Sequence, residues 1–138
     1  MYDLDRFVAA QEAIYQIVLE ELRRGRKETH WIWFIFPQIA GLGSSSTSQR
    51  YALTSLAEAR AYLAHSVLGA RLRECCAWVL AAGARSPEEM LGPLDAQKLH
   101  SCATLFHRAA PDDPLFAEIL VRHYRGVPDT ATDLHLVG

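Results

Sequence analysis

Apolar positions recur along this chain at helical rather than strand spacing, and the interruptions fall at residues that start or stop helices. Leu4, Phe7, Val8, Ile14, Val18 and Leu22 share one face of a first helix that Asp3 caps and Gly25 stops, with Asp5, Glu12, Gln16, Glu20 and Arg23 opposite. Gln11 falls in the middle of that apolar stripe, where a buried amide needs hydrogen-bond partners. Residues 29–36 are an apolar run without a period of its own; we read it as a short buried helix that Pro37 ends. Residues 38–48 then read as a loop, with Ser48 capping a turn that begins at Gln49.

The second half repeats start and stop signals. Ser55 and Glu58 form a capping-box pattern opening a helix over 55–65 with Leu56, Ala59 and Leu63 inside. Leu68, Leu72, Cys75, Cys76 and Val79 define the next helix, ended by Gly83. A second box, Ser86-Pro87-Glu88-Glu89, opens a short helix stopped by Gly92. Asp95 caps a helix whose Leu99, Cys102, Ala103 and Phe106 face one way, and Pro111 closes it. Asp113-Pro114 starts a helix with Leu115, Phe116, Ile119, Leu120 and His123 inward; Gly126 stops it, and Asp129 or Thr130 opens a final turn. The pattern predicts an all-α fold: a single compact multihelical bundle of about seven helices over residues 1–138.

Composition narrows the function classes. Half of the 138 residues are apolar, enough for a core without disulfides or a structural metal. A net charge of -2 gives no overall attraction to nucleic acid or anionic lipid. Of three cysteines, Cys75 and Cys76 are adjacent on a helix, and all are read as reduced. With no secretory pattern at the start and no stretch of membrane-spanning length, the expected location is the cytoplasm. The six histidines show no metal-ligand spacing and no nucleophile motif is present, so neither a metal nor a cofactor is expected.

The densest chemistry lies between His30 and Ser48. Trp31, Trp33, Phe34 and Phe36 fall within six positions and abut Gly41-Leu42-Gly43 and a run of serines, joining aromatic surface to backbone that can approach a ligand closely. The loop lacks the lysine and spacing of a phosphate-binding P-loop, and no strand precedes it. Arg71 and Lys98 stand at the edges of apolar faces, where a cation either snorkels or points into a pocket.

These same residues carry a resemblance. Phe7 with Ala10-Gln11, the run from His30 to Gln38, Gly41-Leu42-Gly43-Ser44, Ser55 with Glu58-Ala59, Ala61-Tyr62-Leu63, Leu68-Gly69 with Arg71-Leu72, and Asp95 with Lys98-Leu99, Ser101 and Thr104-Leu105-Phe106 resemble the bacterial family catalogued as domain of unknown function eighteen-ten. The likeness covers nearly the whole chain. It implies an all-helical domain and no established reaction. Ile32 stands where the family often has methionine, and Cys102-Ala103 replaces a serine-methionine pair. The calpastatin label that some members carry does not fit, since inhibitory segments of that kind are disordered and polar.

The expected site is a pocket built from Gln11, His30, Trp31, Trp33, Gln38, Gly43, Ser44, Arg71 and Lys98, binding a small anionic metabolite that is nucleotide-like or ADP-ribose-like. If it hydrolyses its ligand, His30 or Glu58 is the expected general base. The competing expectation is a non-enzymatic module that offers Trp31 and Trp33 to a protein partner as a hot spot.

Overall fold

The computed structural model describes residues 2–137 and, among them, ten helices and no strand beyond an isolated parallel bridge between Ile39 and Leu53. In chain order these are α1 (Asp5–Glu12), α2 (Tyr15–Arg24), α3 (Ile32–Ile35), α4 (Ser46–Arg50), α5 (Leu56–Ala64), α6 (Leu68–Ala81), α7 (Pro87–Leu91), α8 (Pro93–Ala109), α9 (Pro114–Tyr124) and α10 (Thr130–Val137). Helix α8 is the centre, packed against α3, α5, α7, α9 and α10. Its Ala96, Leu99, Cys102, Ala103, Leu105, Phe106 and Ala109 are all buried. A run of aromatic contacts crosses the core: Phe7 meets Tyr62 edge-on at 5.1 Å, Tyr62 meets Phe106 at 5.5 Å, and Phe106 meets Phe116 at 5.6 Å. Burying each such ring contributes about 1.5–3 kcal/mol, with further gain from edge-to-face geometry.

Most caps behave as their sequence dictates. Ser55 Oγ accepts from Glu58 N at 3.1 Å, Ser86 and Glu89 form the reciprocal box, and Asp113 accepts from Leu115 N at 3.0 Å. Gly25 ends α2 at φ 73°, a left-handed conformation that costs glycine nothing.

Four elements depart from expectation. The first helix is two, broken at Ala13 and Ile14, so that α1 packs on α3 while α2 packs on α6; Leu4, not Asp3, precedes α1. The helix expected over 29–36 shrinks to α3, and the backbone N–H of Thr29, where it was to start, is bound by the Glu21 carboxylate together with that of Glu28. Within the expected loop Ser45, not Ser48, is the cap: its Oγ accepts from Ser48 N at 3.1 Å and starts α4. Helix α8 begins at Pro93 with Gly92 ahead of it, which frees Asp95 from capping.

Candidate functional site

Loop and helix meet along a second stripe of α8. The core stripe is apolar, but Leu94, Gln97, Lys98 and Ser101, at i, i+3, i+4 and i+7, form another line on the same helix. Across from it run Gln38, Leu42, Gly43, Ser44, Ser45 and Ser48, and His100, Asp129 and Ala131 complete the lining. These walls enclose a cleft of about 610 Å³, within the size range of small-molecule sites. Its position is fixed from below. Ala40 N donates to Leu53 O at 2.7 Å and Leu53 N to Gln38 O at 2.9 Å, so the backbone on either side of Ile39 is pinned before the loop departs. Gly43 is required for the loop's closeness: a Cβ there would overlap the Cβ of Ser48.

Beside the cleft two lysines share one carboxylate. Asp95 Oδ2 lies 2.8 Å from Lys27 Nζ, whose side chain is only 7% exposed, and Asp95 Oδ1 lies 3.5 Å from Lys98 Nζ, whose side chain is 25% exposed. Lys27 also sits over the Trp31 ring, 5.1 Å from its centroid. Two ammonium groups thus share one counter-charge, and the one with the longer contact faces the cleft.

Asp129 Oδ2 accepts from Ser101 Oγ at 3.0 Å, Thr132 N at 3.1 Å and Thr132 Oγ1 at 2.6 Å. His100 stacks on Tyr124 at 4.1 Å, and its Nε2 lies 2.7 Å from Val127 O. A carbonyl partner requires the proton on Nε2, which leaves Nδ1 as the acceptor in a neutral ring.

The nine expected residues separate into groups. Gln38, Gly43, Ser44 and Lys98 line the cleft. Trp33 is half-buried and, with Gln38, Gly41, Gly43, Ser48 and Tyr51, lines a crevice of only about 10 Å³ beside it. Trp31 is 0% exposed, its indole N–H donating to Glu21 Oε1 at 2.9 Å, so neither ligand nor partner reaches it in this structure. Gln11 and Arg71 meet each other instead. Gln11 Nε2 donates to Phe34 O at 2.7 Å and Tyr62 Oη at 3.3 Å, and its Oε1 accepts from Arg71 at 3.3 Å. Arg71 lies over Tyr15, 4.7 Å from the ring, and pairs with Glu12 at 3.6 Å. This cluster meets the buried amide's needs and lines a different part of the molecule from the cleft walls named above. His30 is exposed and lines neither hollow.

The other candidate base, Glu58, is 2% exposed and committed to structure, accepting from Thr54 N at 2.7 Å and Thr54 Oγ1 at 2.9 Å and pairing with Arg6 at 3.5 Å. All three cysteines are free and buried. Burial pushes the Cys75 thiol up to about 12 and those of Cys76 and Cys102 well above their ordinary value, the opposite of a nucleophile. His107, expected toward solvent, is half-buried, and His123, expected to be satisfied in the core, has its Nε2 buried with no partner among the described residues. No group of His, Cys, Asp and Glu among the described residues is arranged to hold a metal.

The cleft residues that sequence reasoning missed are Gln97, His100, Ser101 and Asp129. For Gln97 and Ser101 the signal was available in the polar stripe of α8, which the apolar stripe on the same helix overshadows; Asp129 lies outside that helix. Residues 1–136 match the family described as protein of unknown function (DUF1810). The chain is similar to the conserved hypothetical protein Rv1873 from Mycobacterium tuberculosis, whose crystal structure superposes with a TM-score of 0.97 at 49% identity, covering 99% of this chain and 98% of that one. No curated protein matches the chain.

Proposed function

We propose that this chain, which belongs to the DUF1810 family of proteins of unknown function, binds a small organic anion in the cleft between the serine loop and α8. The observation that carries the reading is the pair of lysines sharing Asp95, which leaves Lys98, the one that faces the cleft, with only a 3.5 Å contact to that carboxylate. An anion on Lys98 completes that arrangement, and the amides and hydroxyls of Gln38, Ser44 and Gln97 supply the orienting polar groups. Leu42 and Leu94, the latter 72% exposed, offer apolar surface to a planar, nucleotide-like portion. The rival reading, a Trp31 and Trp33 hot spot for a protein, loses one of its two anchors because Trp31 is sealed. We place the site of action in the cytoplasm, where three free thiols stay reduced.

Thermal shift with inorganic phosphate, AMP and ADP tests this. A ligand at tenfold its Kd stabilises by about 1.4 kcal/mol, raising Tm by roughly 5 °C for a chain of this length. Lys98→Ala removes the shift, and Arg71→Ala keeps it relative to its own unliganded Tm. A panel without any shift, or a shift that survives Lys98→Ala, overturns the reading.

A further inference from the structure

Asp129 narrows the class of occupant, on the premise that the cleft does bind an anion. This carboxylate lines the same cleft as Lys98, and it is anchored to the same helix through Ser101 Oγ at 3.0 Å. Lys98 and Ser101 are three residues apart, about 4.5 Å along the axis and on neighbouring surface positions. An anion held by Lys98 therefore approaches a fixed negative group about one turn away, and the two repel. The repulsion is relieved only if the ligand turns hydrogen-bond donors toward Asp129. All three donors from the protein go to Oδ2, from Ser101 Oγ, Thr132 N and Thr132 Oγ1, and none of them goes to Oδ1. The walls of the same cleft offer further partners suited to hydroxyl groups, the side-chain amides of Gln38 and Gln97.

We infer that the occupant is a phosphorylated polyol, with its phosphate on Lys98 and its hydroxyls donating to Asp129 Oδ1. A bare anion meets the lysine and the repulsion together. A neutral polyol meets Asp129 and leaves the lysine unanswered. A molecule with both ends satisfies both, and the volume of about 610 Å³ accommodates one of monosaccharide size or larger.

Isothermal titration with inorganic phosphate, ribose and ribose 5-phosphate separates these cases. Ribose 5-phosphate is expected to bind at least about tenfold more tightly than either fragment, the effect of one hydrogen bond to a charged acceptor. Asp129→Asn keeps an oxygen for Ser101 and Thr132 but replaces Oδ1 by a donor and removes the charge. Phosphate binding is then expected to tighten while the advantage of ribose 5-phosphate over phosphate shrinks severalfold. A purely structural Asp129 would instead weaken both ligands together. If phosphate binds the natural protein as tightly as ribose 5-phosphate, the polyol inference falls and the anion site stands. If neither phosphate compound binds, both fall. Should the variant fail to fold, the three ligands on the natural protein still decide.

Discussion

Glu21→Gln removes the charge of a buried acceptor while keeping its shape, and so isolates what that charge contributes. Glu21 Oε1 accepts from Glu28 N at 2.8 Å, Thr29 N at 3.1 Å and Trp31 Nε1 at 2.9 Å, and Oε2 accepts from Thr29 Oγ1 at 2.8 Å. A hydrogen bond to a charged group contributes about 1.5–3 kcal/mol against about 0.5–1.5 for a neutral one, so the three donors to Oε1 lose roughly 3 kcal/mol, while the Thr29 hydroxyl turns to accept from the new amide. The amide is easier to desolvate, which returns part of this and leaves a net loss of roughly 2–3 kcal/mol. At about 4 °C per kcal/mol the variant melts about 10 °C lower.

The pH dependence supplies the sign. Burial pushes the Glu21 carboxyl up, but the N–H groups of Glu28, Thr29 and the Trp31 indole, with the Thr29 hydroxyl, outweigh it and hold the group below its ordinary value. Such a group stabilises above its unfolded pKa, about 4.3, and loses that contribution as pH falls through the folded value. The gap between the natural protein and Glu21→Gln is therefore full at neutral pH and closes in acid. Urea unfolding followed by circular dichroism, from neutral pH to about pH 3.5, measures it. A neutral-pH gap under about 1 kcal/mol, or one that acid leaves unchanged, would refute the reasoning.

Gly69→Ala drives a Cβ into the backbone carbonyl of Leu63 where α5 and α6 meet, and is expected to destabilise by about 3 kcal/mol in the same unfolding assay. A disulfide reagent should leave all three thiols unreacted in the folded protein and label them once urea is added; labelling at the native rate of an exposed thiol would contradict their burial. Asp133→Asn loosens the two bonds to Arg108, each 2.9 Å, that tie α10 to α8. The pair is partly exposed and contributes up to about 1 kcal/mol, so hydrogen exchange should quicken in α10 and not in α8. The Arg108 guanidinium holds the Asp133 carboxyl below its ordinary value, so acid should produce the same local loosening in the natural protein as pH falls through that lowered value.

Local rules wrote much of this fold legibly. Ser86 with Glu89, Asp113 with Pro114, and Gly25 each act over three or four residues, the first two opening a helix and the last ending one where the sequence places it. What stayed hidden depends on partners distant in sequence. Nothing in Glu12-Ala13-Ile14 breaks a helix by itself; separate packing of α1 on α3 and α2 on α6 does. Asp95 matches a cap pattern as well as it matches its actual task of bridging Lys27 and Lys98, and only the approach of Lys27 distinguishes the two. The aromatic block drew attention as ligand surface, yet Trp31 finds its polar partner ten residues earlier, at Glu21. Gln38, Gly43, Ser44 and Lys98 were each legible, whereas Asp129, ahead of α10, is held at their cleft by Ser101 and Thr104 of α8, more than twenty residues earlier.

Lys27 stands between a sealed indole and the cleft. Its ammonium lies 5.1 Å from the centre of the Trp31 ring and 2.8 Å from the carboxylate that also contacts Lys98. A charge arriving outside therefore alters the field felt by a chromophore that nothing outside can touch. With Trp33 and Trp78 replaced by phenylalanine, the emission colour of the remaining tryptophan becomes a voltmeter for the occupancy of a cavity it does not line.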